Sequence, residues 1–163
     1  MSIFEPVIEA LNDADVRYVV VGGLAVVLHG YPRLTADLDL AIDLEPGEAE
    51  KAMRALTAVG LVPMAPVDPA DFADPAVRAV WIRDMHMKVF GMRDPNDSML
   101  LVDVFVDNPI DFDDLWGRAT VVQLDRSPVR IASVRDLIHM KREAGRPKDL
   151  ADIEALEGMA DDD

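Results

Sequence analysis

The chain has 163 residues, half of them hydrophobic, enough for one ordinary core and too few for a second independent domain. It contains no cysteine, which excludes disulfides and thiolate metal sites and leaves carboxylates, histidines and backbone oxygen as metal donors, a set that suits magnesium. A net charge of -15, with 16 basic residues against 31 acidic ones, argues against a broad surface that grips nucleic acid through its phosphates.

Ile3 to Leu11 carries apolar residues at helical spacing and meets the turn-like Asn12-Asp13-Ala14-Asp15, which predicts a first helix. Val16 to Val21 reads as a strand, Gly22-Gly23 as a turn, and Leu24 to His29 as a short helix ended by Gly30. Leu38 to Leu44 alternates aliphatic residues with Asp39, Ala41 and Asp43, so a strand is expected with Asp37, Asp39, Ala41 and Asp43 on one face. Pro46-Gly47-Glu48 opens a helix to about Ala58, which Gly60 stops. Pro63 to Pro75, with prolines at 63, 66, 69 and 75, predicts a connecting loop with one helical turn, placed where it could cover a site.

Ala79 to Ile82, Met87 to Phe90 and Leu100 to Val106 read as three further strands, suited to antiparallel pairing across the short connections 83–86 and 92–97. Phe112 to Gly117 predicts a short helix, and Thr120 to Leu124 with Val129 to Ile131 a hairpin. Ser133 caps a helix over Val134 to Ala144, Pro147 begins a last helix to roughly Gly158, and Asp161, Asp162 and Asp163 form a solvated tail. No internal repeat is present. The pattern predicts an α+β domain, with residues 1–131 as its core and 132–163 as a helical C-terminal extension. No window approaches the roughly 18 to 20 apolar residues of a membrane span, and Met1-Ser2-Ile3-Phe4-Glu5 lacks the basic start of a signal peptide, so a cytoplasmic location without a membrane partner is expected.

The chemistry concentrates in a few acids. Two aspartates at i and i+2 on a strand share a face and come within reach of one small cation, which that spacing on a helix would not achieve. Asp37 and Asp39 have this spacing, and Asp103, alone among the aliphatic residues 101–106, can complete a three-carboxylate site from a neighbouring strand. Asp-x-Asp alone is common in acidic chains, so context must decide. Gly22-Gly23 lies between strand and helix, where backbone N–H groups can receive phosphate oxygens without a side chain in the way.

The stretch Val19-Val20-Val21-Gly22-Gly23, thirteen further residues, then Asp37-Leu38-Asp39-Leu40 resembles the defining motif of the DNA polymerase beta-like nucleotidyltransferases. Gly30-Tyr31-Pro32-Arg33-Leu34-Thr35-Ala36-Asp37 is similar to the arginine and threonine before the acid pair in a bacterial subgroup. That subgroup includes abortive-infection (AbiEii-type) toxins and small antibiotic nucleotidyltransferases. The resemblance covers most of the chain. It implies a short mixed sheet flanked by helices, Asp103 as the third acid, and magnesium, as two ions with manganese as a substitute. It also matches Lys141, Arg146, Lys148, Asp149 and Asp152 to a C-terminal pattern in which a lysine, here Lys141, reaches the nucleotide.

Alternatives stay open at several of these positions. Arg33 is suited either to a triphosphate or to a nearby aspartate. Thr35 either orients the loop through its hydroxyl or simply enters a strand. The basic residues 141–148, with Asp149 and Asp152 beyond them, also suit the dipoles at a helix end and a helix start. His29, His86 and His139 show no metal-ligand spacing, and Arg135 and His139 are too close together for the signature of HEPN ribonucleases.

The expected activity is metal-dependent transfer of a nucleoside monophosphate from a nucleoside triphosphate to an acceptor hydroxyl. Asp37, Asp39 and Asp103 would serve catalysis and metal binding, and Gly22, Gly23, Arg33, Thr35 and Lys141 would bind nucleotide. The acceptor is a tRNA, a protein or a cationic small molecule, in a toxin-antitoxin or resistance setting. The alternative is a noncatalytic nucleotide- or partner-binding module on the same fold, such as an antitoxin or a regulatory subunit.

Overall fold

The first helix, α1 (Glu5–Asp13), carries Pro in its opening turn and buries Val7, Ile8 and Leu11 along one face. Strand β1 (Tyr18–Val21) is buried at every residue and runs directly into α2 (Gly22–Leu28). A loop then leads to β2 (Asp37–Ile42), and α3 (Pro46–Ala58) follows, its entry fixed by Glu45, whose carboxylate accepts from Glu48 N. These elements, and those below, belong to a computed structural model that describes residues 3–161. Asp162 and Asp163, expected as part of a solvated tail, lie outside the described residues.

Next come β3 (Val62–Pro63), a 3-10 helix (Pro69–Ala73), α4 (Pro75–Met85), β4 (Val89–Asp94) and β5 (Asp97–Phe105). The chain ends with α5 (Phe112–Arg118), the hairpin β6 (Thr120–Gln123) and β7 (Pro128–Ile131), then α6 (Val134–Ala144) and α7 (Pro147–Asp161). The strands form one sheet in the order β3-β4-β5-β2-β1-β7-β6. Within it β2 pairs parallel with β5 and β1 parallel with β7, and the remaining pairs are antiparallel. The result is a short mixed sheet flanked by helices with a C-terminal helical extension, as expected from the sequence.

Alternation sorts the two faces. Leu38, Leu40, Val102, Val104, Phe90 and Met92 are fully or nearly fully buried on one face. There Phe90 meets the Phe72 ring edge-on and stacks on Trp81, each at 5.4 Å, so the 3-10 helix and α4 cover this side. The opposite face carries Asp37, Asp39, Gly91 and Asp103 and is approached by α2, with α6 beside it.

Several local expectations are corrected. Ala79 to Ile82, expected as a strand, lies inside α4: the Asp74 carboxylate accepts from Ala76 N, Pro75 opens the helix, and His86 closes it in a left-handed conformation at φ 52°. A four-residue apolar run has no period of its own, and the capping residues around it decide its state. β4 accordingly starts at Val89 and extends to Asp94, through residues expected as a connection. Phe72 anchors the later part of the 63–75 segment beneath the other face, while Met64, at its start, reaches Gly91 beside Asp103. Ala41 keeps its place in the alternation of β2 but is fully buried, and Asp43, beyond the end of that strand, pairs with Arg17 at 2.5 Å instead of joining the three acids.

Candidate active site

Asp39 on β2 stands opposite Asp103 on β5 in the parallel register, and Asp37 lies two residues earlier on the same face. One carboxylate oxygen from each of the three lies within 4.8 Å of the others, and all three side chains are half-buried. Burial, then the nearby Asp103 and Asp37 carboxylates, push the Asp39 carboxyl up from 3.8 to about 7, while Lys141 and Arg146 act in the opposite direction. Burial and Asp37 likewise raise Asp103.

The glycines make room for this cluster. Val21 pairs with Asp39 across β1 and β2, so the chain turns into α2 directly beside that carboxylate. Gly22 adopts φ +69°, and a Cβ there would overlap Asp39 Oδ2. A Cβ on Gly23 would stand 2.9 Å from Thr35 Oγ1 and 3.5 Å from Arg33 Cζ. Gly91 sits opposite Asp103, where a Cβ would approach Oδ1 to 3.3 Å and Met64 Sδ to 3.1 Å. Gly91 was not singled out from the sequence, although a glycine inside a strand marks a close approach of this kind.

Thr35 donates its hydroxyl to the Asp37 carbonyl at 3.3 Å and so steadies the loop that delivers the acid pair. The Arg33 guanidinium donates to Leu34 O at 3.1 Å and pairs with Asp152 on α7. Lys141 Nζ donates to the same Asp152 oxygen at 2.8 Å and lies 3.7 Å from Asp149 Oδ1. Arg146 closes the series on Asp149 at 2.8 Å. Arg33 therefore does pair with an aspartate. Asp149 accepts from Arg146 N at 3.1 Å, in keeping with a helix-start acid, but Asp152, a turn further on, faces inward onto two cations. The three acids, the two glycines, Thr35 and Arg33 thus gather at one end of the sheet, and the charges of Lys141 and Arg146 reach Asp39 from the helical extension.

The family model described as "Nucleotidyltransferase of unknown function (DUF6036)" matches residues 1–160. The chain belongs to this family. It is a nucleotidyltransferase of the polymerase-beta-like superfamily. Comparison with curated proteins gave no match. Among solved structures, this nucleotidyltransferase is similar to the lincosamide antibiotic adenylyltransferase LnuA in its lincomycin-bound form, at 13% identity and a TM-score of 0.63, covering 97% of this chain and 96% of that one. It is also similar to ANT(2'')-Ia in complex with adenylyl-2''-tobramycin, at 14% identity and a TM-score of 0.58, covering 95% of this chain and 86% of that one. The solution structure of ANT(2'')-Ia aligns at 12% identity and a TM-score of 0.61, covering 95% and 80%. At these identities the likeness is one of fold.

Proposed function

We propose that this nucleotidyltransferase moves a nucleoside monophosphate from a nucleoside triphosphate to a hydroxyl of an acceptor. The observation that carries the reading is the convergence of Asp37, Asp39 and Asp103 beside the glycine turn. All three donors are carboxylate oxygens, the set magnesium prefers, and the raised Asp39 carboxyl marks negative charge that a cation would offset. Two magnesium ions bound there would neutralise the triphosphate, help ionise the acceptor hydroxyl and stabilise the departing pyrophosphate.

The protein's own groups supply the rest. Asp37 and Asp39 would hold the metal, and Asp103 would share it while orienting the acceptor hydroxyl and taking its proton. The hydroxyl oxygen bonds to the α-phosphorus as the bond from that phosphorus to the bridging oxygen breaks, and pyrophosphate leaves. Gly22 and Gly23 let the phosphates approach the backbone, Thr35 holds the loop, and Arg33 and Lys141 bind phosphate oxygens.

A cationic small molecule is the acceptor best supported, ahead of tRNA or protein. The chain carries -15 net charge, and two of the fold relatives named above were solved with an antibiotic or its adenylylated product. Those relatives favour a resistance-type setting over an AbiEii-type toxin. The test is metal-dependent binding of each nucleoside triphosphate, followed by pyrophosphate release when a panel of aminoglycosides and lincosamides is added. Release with one acceptor class supports the reading, and binding without release for any acceptor, tRNA and lysate protein included, points to a noncatalytic module.

A further inference from the structure

We infer that Asp152 is a positioning residue of the nucleotide site, its one buried carboxylate holding Arg33 and Lys141 in the orientation that meets the phosphates. The inference rests on the function proposed above. Asp152 belongs to α7, Lys141 to α6 and Arg33 to the loop before β2, so a single side chain ties three segments together. Its side chain is 4% exposed and that of Lys141 8%. Two cations brought to one oxygen would repel each other if that charge were removed, and at this burial water would screen them little.

Asp149, fully buried, holds Arg146 and the other side of Lys141. Arg33, Lys141 and Arg146 therefore face two acids, leaving one surplus positive charge. Arg33 at the same time stands beside Gly23, with its Cζ 3.5 Å from where a Cβ would lie. A clasp serving only to join helices would need neither the surplus charge nor an arm to the glycine turn. Cations placed only to complement a helix end lie exposed near its last turn, whereas Lys141 and Arg33 are drawn inward by Asp152 on another element.

The test is equilibrium binding of each of the four magnesium-nucleoside triphosphates to the full chain by calorimetry. The proteins compared are wild type, Asp152→Asn, Lys141→Met, the double variant and Leu156→Ala. Leu156 is an apolar, fully buried residue of α7, so its truncation loosens the extension without touching the charges. Leu156→Ala is expected to lower Tm and keep the wild-type affinity, while Asp152→Asn weakens binding about tenfold or more, the scale of a lost charge-assisted contact. The double variant is expected to bind little worse than the weaker single variant, because both changes remove one arrangement. Should Asp152→Asn fail to fold, Asp152→Glu keeps the charge but moves it by a methylene, and is expected to fold and to bind more weakly. Wild-type affinity in the foldable Asp152 variant, strictly additive losses, or an equal loss in Leu156→Ala would overturn the inference. A wild-type protein that binds no nucleotide would overturn the proposed function itself, and this inference with it.

Discussion

Asp39 and Asp103 are register partners on the parallel strands β2 and β5, so both carboxylates project from the same face at the same level of the sheet. With Asp37 beside them, the protein holds three acids within 4.8 Å, and the fold keeps them there because Leu38, Leu40, Val102 and Val104 lock the alternation from the opposite face. A single-residue slip of β5 would replace Asp103 with an aliphatic side chain. The site is thus a consequence of the core.

Its electrostatic cost should be visible in stability. The Asp39 carboxyl is raised from 3.8 to about 7 in the folded protein, so between these values the folded state binds more protons than the unfolded one. Asp39 therefore stabilises the fold below about pH 4, and this contribution is lost as pH rises through about 7. In chelator, Asp39→Asn should match wild type near pH 4 and exceed it above pH 7 in urea denaturation. A difference between the two that stays flat across this range would contradict the assignment.

Divalent cations should reverse that cost. At a free concentration about 100 times its dissociation constant, a ligand of the folded state adds about 2.7 kcal/mol, which for a chain of this length raises Tm by roughly 5 °C or more. Manganese or magnesium at pH 7.5 is expected to do this in wild type, and chelator to undo it. Asp39→Asn should show no such shift in a thermal scan.

Two glycines separate backbone strain from site geometry. Gly22→Ala forces a side chain into a left-handed backbone and onto the Asp39 carboxylate, so stability should fall by about 1–3 kcal/mol and cation binding should be lost. Gly30 also has positive φ, +109°, but a Cβ there meets nothing within 4 Å. Gly30→Ala should lower stability and leave the cation-induced Tm shift intact.

The opposite face offers a control that touches no chemistry. Arg78 is buried, donates to the Phe72 carbonyl and to Leu44 O at 3.1 Å, and lies 5.3 Å from the Phe72 ring centroid. Arg78→Met should cost about 2–4 kcal/mol in denaturation, because two carbonyls lose a charged donor. Nucleotide affinity measured on the folded variant should not change.

What could be read from the sequence was what repeats at short range. Asp37, Asp39 and Asp103 stood out because each interrupts an aliphatic strand at period 2, and α3 and α6 began at the residues their proline and serine signals indicated. The 79–82 run misled because four apolar residues fit a strand as well as a helix, and Asp74 and His86, which settle the matter, lie outside it. The Arg33–Asp152 pair was not legible because 119 residues separate its members. Asp152 carries no local mark that distinguishes an inward-facing acid from a helix-start acid. Only the packing of α7 against α6 turns it toward the site.

Whether the three aspartates drive nucleotidyl transfer is decided by incubating the protein with magnesium and each α-labelled nucleoside triphosphate in the presence of aminoglycosides, lincosamides, total tRNA or lysate protein. Asp37→Asn and Asp39→Asn variants, shown to be folded, run alongside. Label in one acceptor class is expected with wild type, and a loss of orders of magnitude in each variant. Full transfer by folded Asp39→Asn would contradict that role for the acids.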